Sequence, residues 1–275
     1  MPTIPKLIAP AGACDCHIHI YDPAMPTIPT TTTPGPEWAS VAGYRDVQMR
    51  LGLKRAIVVQ PTAYGTDNSC TVNAIAELGL ANTRGVAVVD MSVTDAELER
   101  LSKAGICGIR FQMLPGGVLP WDVVEPLAAR VANFGWHAQV QMDGRLLPER
   151  EDLLKRLPGA VVIDHVGKFL EPVTPEHAGF KTLQRLLDNG KTWLKLTAAY
   201  EVSKVGPPLY PDVGALAKVA AKSHPERMVW ASNWPYVGND RQDDAMQLDL
   251  LQDWVPDETT RKRVLVDNPA ELYRF

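Results

Sequence analysis

The sequence predicts an α/β fold, a single (β/α)8 TIM barrel over residues 1–275, and three observations carry that expectation. Short apolar runs rich in Val and Ile recur eight times along the chain. Stretches with apolar residues at three- and four-residue spacing, the period of an amphipathic helix, separate them. No Gly-x-Gly-x-x-Gly follows the first run, which counts against the rival doubly wound open sheet. Near-continuous apolar strands alternating with helices suit a parallel sheet buried on both faces, and a count of eight suits closure into a ring.

The first strand, 13–18, leads into His17-Ile18-His19-Ile20. Side chains at i and i+2 leave a strand on the same face, so both imidazoles enter one space while Ile18 and Ile20 face the other way. A lone His-x-His also suits an ordinary inward-facing strand. Its place at a strand end, where barrel chemistry gathers, makes it a candidate site. A Pro- and Thr-rich loop, 21–36, follows and reads equally as lid or connector. Further strands are expected over 55–60, 85–90, 108–111, 137–142, 161–164, 193–197 and 228–231. Helices are expected over 67–80, 95–104, 121–134, 149–157, 180–189 and 213–223. The C-terminal run from Asn268 reads as a short helix sealing the barrel bottom, with Asn268 as N-cap and Pro269 at its first position.

The 28 basic and 32 acidic residues leave a net charge of −4, so there is no cationic surplus for nucleic acid or a membrane surface. No stretch approaches the ~18 apolar residues of a membrane span, and the N-terminus lacks a signal-type apolar region, so a cytoplasmic protein is expected. Cys14, Cys16, Cys70 and Cys107 lack paired zinc spacing and read as reduced structural thiols. Cys14-Asp15-Cys16 beside the histidines nonetheless raises a metal alternative.

Residues closing each apolar run are the candidates for function. Thr62 and Tyr64 follow the second strand. Arg110, inside Gly-Ile-Cys-Gly-Ile-Arg-Phe-Gln, must meet an internal carboxylate or an anionic ligand, because a guanidinium buried unpaired is costly. Its fork suits a substrate carboxylate. Gln139 and Gln141 alternate on the fifth strand, and Asp164-His165-Val166-Gly167-Lys168 ends the sixth. His165 is the third candidate imidazole, and Lys168 pairs with substrate or with Asp164. Tyr200, Asn233 and Tyr236 follow the last two strands. His137, His177 and His224 read as incidental.

The set Asp15-x-His17-x-His19, Asp164-His165-Val166-Gly167-Lys168 and Ser232-Asn233-Trp234-Pro235 resembles the amidohydrolase superfamily, in the branch of the 2-pyrone-4,6-dicarboxylate lactonases and D-galactarolactone isomerases. Metal-dependent members carry a Lys or Glu on strand four, His on strands five and six and Asp on strand eight. Here those positions offer Arg110 and Gln112, Gln139 and Gln141, and Asn233, so only three imidazoles remain. The resemblance implies a small carboxylated lactone as substrate and no required cofactor, although a His-bound zinc stays conceivable. It also implies that His17, His19 and His165 polarise an ester carbonyl and move a proton, with no carboxylate beside them. An amide has no basic lone pair near neutral pH, so Asn233 cannot activate water but can orient a substrate hydroxyl. That favours lactone isomerisation over hydrolysis. A lactone hydrolase and a non-catalytic sugar-acid-binding barrel are the alternatives.

Overall fold

A computed structural model describes residues 3–31, 35–238 and 240–275. Eight parallel strands pair in chain order: β1 Cys14–Ile18, β2 Arg55–Val59, β3 Thr83–Ala87, β4 Ile106–Gln112, β5 His137–Gln141, β6 Val161–Ile163, β7 Thr192–Leu196 and β8 Met228–Trp230. The ring closes through the segment behind β8. His19 N–H donates to the Trp234 carbonyl at 2.9 Å, and Asn233 N–H donates to the His17 carbonyl at 3.0 Å. The expected (β/α)8 barrel is the fold.

Helices α1 Val41–Arg50, α2 Ser69–Leu78, α3 Asp95–Lys103, α4 Val124–Ala132, α5 Leu147–Arg156, α6 Ala178–Asp188, α7 Pro211–Ser223 and α8 Asp244–Trp254 follow the successive strands. Their ends obey local chemistry. Thr94 caps α3 by accepting the Glu97 N–H, with Asp95 and Glu97 in its first turn and Arg100 and Lys103 in its last, as the helix dipole favours. His177 caps α6 through Nδ1. No described helix is long and apolar enough to cross a membrane.

The C-terminal expectation needs one correction. A wide turn, Arg263–Asp267, joins α9 Glu258–Lys262 directly to α10 Asn268–Tyr273, so Asn268 has helical backbone angles (φ −61°, ψ −47°) and is no N-cap. With the preceding turn already wound, its carboxamide is free to donate to the carbonyls of Pro225 (2.8 Å) and Met228 (2.7 Å), pinning the helix to the start of β8.

The barrel interior divides into two levels. Cys14, Cys16, Ile57, Val59, Cys107, Val162 and Val229 fill the lower one, closed below by Leu272 and Tyr273. His137 stacks edge-on against Tyr273, 5.4 Å between centroids. All four cysteines are buried free thiols. Two β-bulges then shift the register: β1 has one extra residue between Asp15 and Ile18, and β4 one between Ile106 and Gly108. An extra residue changes the face that later side chains take. His17 sits within the first bulge, and His19 and Arg110 lie beyond the two.

Candidate active site

A cavity of about 320 Å³ lies at the C-terminal ends of the strands, walled by His19, Arg110, His165, Lys168, Glu201 and Asn233, with Thr62 and Gln141 also on its lining. His17 sits just below, fully buried, its ring 4.8 Å from that of His19 and 5.1 Å from that of His165. The three expected imidazoles therefore meet.

Their protons can be assigned by elimination. His19 Nδ1 lies 2.7 Å from the Val59 carbonyl, which can only accept, so Nδ1 carries the hydrogen. Burial, with Arg110 nearby, lowers the pKa of His19 to about 3, leaving the ring neutral and Nε2 bare. His17 Nε2, 3.1 Å away, must then donate to it. Burial and the Lys195 charge hold His17 well below the usual histidine range, so its Nδ1 is bare and accepts from Lys195 Nζ at 3.2 Å. A directional chain results, Lys195 to His17 to His19 to Val59.

Lys195 is completely buried. Besides His17 it donates to Gln139 Oε1 at 2.8 Å and lies 3.3 Å from Asp164 Oδ1, and Gln139 Nε2 donates to Asp164 Oδ2 at 3.0 Å. Burial pushes the Asp164 carboxyl up, but Lys195, His165 and Arg110 outweigh it and hold it ionised. Lys195 closes the seventh apolar run without a role that sequence alone assigns, yet it stands between Leu194 and Leu196 as conspicuously as Arg110 does in its own apolar run.

Arg110 resolves the other way. Its Nη1 donates to the Gln60 carbonyl at 2.8 Å and its Nη2 to Gln141 Oε1 at 2.9 Å, while Nε is buried without a partner. Among the described residues no carboxylate forms an ion pair with it, so the internal-pair alternative falls away.

The turn after β6 is bent into left-handed backbone, with φ +54° at His165, +52° at Val166 and +47° at Lys168. For a β-branched Val this is a true outlier, and such residues cost about 1–3 kcal/mol each. The turn brings His165 and Lys168 to the cavity, and His165 Nδ1 is buried with no partner. Lys168 pairs with Glu201 rather than with Asp164. Burial lowers the Lys168 amine to about 8.

Glu201 and Asp164 overturn the expectation of a carboxylate-free site. Glu201 ends the tight turn Ala199–Glu201 after β7, one residue beyond the Tyr200 that its place after the strand marks. Asn233 Nδ2 donates to Glu201 Oε1 at 3.0 Å and to the Tyr200 hydroxyl at 2.7 Å. Both amide hydrogens are thus committed, and only Oδ1 remains to act.

Three expected contacts, Tyr64, Tyr200 and Tyr236, are not on the cavity lining, the Tyr200 hydroxyl standing behind Asn233 as its acceptor. The Tyr64 hydroxyl is tied to the backbone of Asp22, and that of Tyr236 donates to Asp244, so neither lines the cavity. Of the 21–36 loop, Thr30 and Thr31 border the cavity, and Thr31 Oγ1 donates to the Ala63 carbonyl at 3.1 Å. Residues 32–34 of that loop lie outside the described residues. Asp15 faces away from the cavity. It accepts from Ser232 N–H (2.9 Å), Ser232 Oγ (2.6 Å) and Tyr44 (3.3 Å), binding β1 to the segment after β8, and burial raises it to about 6.

His17, Asp164 and His165 form the one cluster among the described residues that could offer three ligand atoms to a metal. The Lys195 ammonium already touches two of the three.

Imidazoles, amides and buried cations gathered at the strand ends of a (β/α)8 barrel define an amidohydrolase. The chain belongs to the amidohydrolase family, whose profile matches residues 14–275. It is 34% identical to D-galactarolactone isomerase of Agrobacterium fabrum, covering 99% of this chain and 94% of that protein. It is 32% identical to the 2-pyrone-4,6-dicarbaxylate hydrolase of Comamonas testosteroni, covering 99% and 93%. An apo crystal structure of an Agrobacterium tumefaciens protein superposes with a TM-score of 0.90 at 34% identity, covering 99% of this chain and 97% of that one.

Proposed function

We propose that the chain is an isomerase interconverting the 1,5- and 1,4-lactones of an aldaric acid such as D-galactarolactone, using its own side chains and no required metal. The observation that carries this reading is a buried Arg110 with no carboxylate partner, placed on one cavity with an Asn233 whose amide hydrogens are already engaged. Arg110 seats the free carboxylate. Asn233 Oδ1 accepts a hydrogen bond from the substrate hydroxyl and aims it at the lactone carbonyl, a proximity effect that needs no water. As the new C–O bond forms and the ring C–O bond breaks, one proton leaves the attacking hydroxyl and one reaches the departing oxygen. His165, neutral and with Nδ1 unpartnered, takes the first. The same ring returns it to the departing oxygen, since both nitrogens of His19 are already engaged by Val59 and His17.

The donor set does not fit a divalent ion, because an ammonium 3.2 Å from His17 Nδ1 and 3.3 Å from Asp164 Oδ1 would repel it. The similarity to D-galactarolactone isomerase supports the substrate class. Incubating chelator-treated protein with D-galactaro-1,5-lactone and following the ring by NMR tests the reading: the 1,4-lactone should accumulate at the untreated rate. Accumulation of the open acid, or a rate restored only by added metal, would reject it.

A lactone hydrolase is the second reading, favoured by Glu201, a carboxylate on the cavity wall able to serve as base. Substituting Asn233→Asp should raise hydrolysis relative to isomerisation, and an unchanged ratio would count against Asn233 as the residue separating the two reactions.

A further inference from the structure

The charges of the upper barrel form a short inventory. Among the described residues gathered there, Arg110, Lys168 and Lys195 are the cations and Asp164 and Glu201 the carboxylates. Asp164 is committed to Lys195, both side chains fully buried, and the pair does not line the cavity. Glu201 closes on Lys168, with side chains only 13% and 11% exposed, and both do line it. Burial keeps the imidazoles neutral. One positive charge, that of Arg110, is left unmatched.

We propose that Glu201 is a specificity residue: by occupying Lys168 it makes the cavity a receptor for lactones bearing one free carboxylate and turns away those bearing two. The inference rests on the reading of Arg110 as the carboxylate seat. A first carboxylate finds Arg110. A second finds Lys168 already neutralised and the Glu201 charge fixed in place by two donors, Lys168 and the Asn233 amide. Like charges forced together in a partly desolvated pocket repel strongly, and a built-in repulsive group is a standard route to discrimination.

Glu201→Gln keeps the size of the side chain while removing its charge, and its one carboxamide oxygen can still accept from Asn233 or from Lys168, which meet separate oxygens of the carboxylate. The net charge contributed by Arg110, Lys168 and Glu201 is then +1 in the native protein, +2 in Glu201→Gln, 0 in Lys168→Met and +1 in the double variant. Dissociation constants for 2-pyrone-6-carboxylate and 2-pyrone-4,6-dicarboxylate, measured by calorimetry on the full chain, read the effect. The native protein should prefer the monoanion. In Glu201→Gln the preference should swing by about tenfold or more toward the dianion, in the double variant it should swing back, and in Glu201→Asp it should stay native. A Glu201→Gln protein with an unshifted ratio, or a native protein that binds the dianion as tightly as the monoanion, would overturn the inference while leaving the lactone reading intact. Undiminished monoanion binding by Arg110→Met would overturn the seat itself, and this inference with it.

Discussion

Two buried cations share the upper barrel and are treated in opposite ways. On the β5–β7 wall, Lys195 has a carboxylate, an amide oxygen and an imidazole nitrogen around its ammonium. On the β2–β5 wall, Arg110 has among the described residues only a backbone carbonyl and the Gln141 amide, and one guanidinium nitrogen has no partner there. β5 serves both, Gln139 turning to the lysine and Gln141 to the arginine. A saturated charge contributes to the architecture, whereas an unsaturated one is held ready for something the protein lacks. Physical reasoning therefore assigns stability to the first and binding to the second.

Several substitutions break that contrast, and the largest effect is expected at Lys195. Lys195→Met leaves Asp164 charged and unpaired in the interior, and unfolding in urea should show a loss of about 3–5 kcal/mol. Adding Asp164→Asn should recover most of it. Arg110→Met should lower kcat/KM on the lactone about 10²–10³-fold while leaving stability unchanged or raised, because an uncompensated buried guanidinium is itself a burden. Equal destabilisation by the two single variants would erase the distinction.

The response to pH sharpens it. His19 and His137 are lowered to about 3, and His17 and His165 are also held well below the histidine range, all mainly by burial. A depressed pKa in the folded state gives stability that is present above the unfolded value near 6.5 and lost as pH falls below it. Each imidazole should contribute a slope of roughly 1.4 kcal/mol per pH unit below that point. Asp15, raised to about 6, works in the opposite sense, its contribution being lost as pH rises through 6, and so offsets about one proton between pH 4 and 6. Denaturant midpoints taken between pH 6 and 4 should fall with a slope nearer three protons than four. The smallest effect belongs to the lower level: Ile57→Val should cost about 1 kcal/mol and leave kcat unchanged.

The same contrast explains what was legible in sequence. Apolar β-branched runs report their own burial, so all eight strands could be read, and His17, His19, His165 and Arg110 were visible as polar residues in or beside those runs. Lys195 was equally visible, but its meaning comes from Gln139, Asp164 and His17, which lie 56, 31 and 178 positions away. Glu201 lies in a turn preceded by a left-handed Ala198, with no periodic pattern to mark it. The two bulges leave no trace in composition. Tyr64, Tyr200 and Tyr236 read as mouth residues because they follow strands, but hydrogen bonds with Asp22, Asn233 and Asp244 hold their hydroxyls off the cavity lining.

The backbone stitches that close the ring belong to His17, His19 and Asn233, three of the residues whose side chains build the proposed site. Hoop and reaction chamber therefore share one latch. Loosening the join between first and last staves would misalign nucleophile guide and paired rings in the same event, so integrity of the container and competence of its contents form one cooperative property.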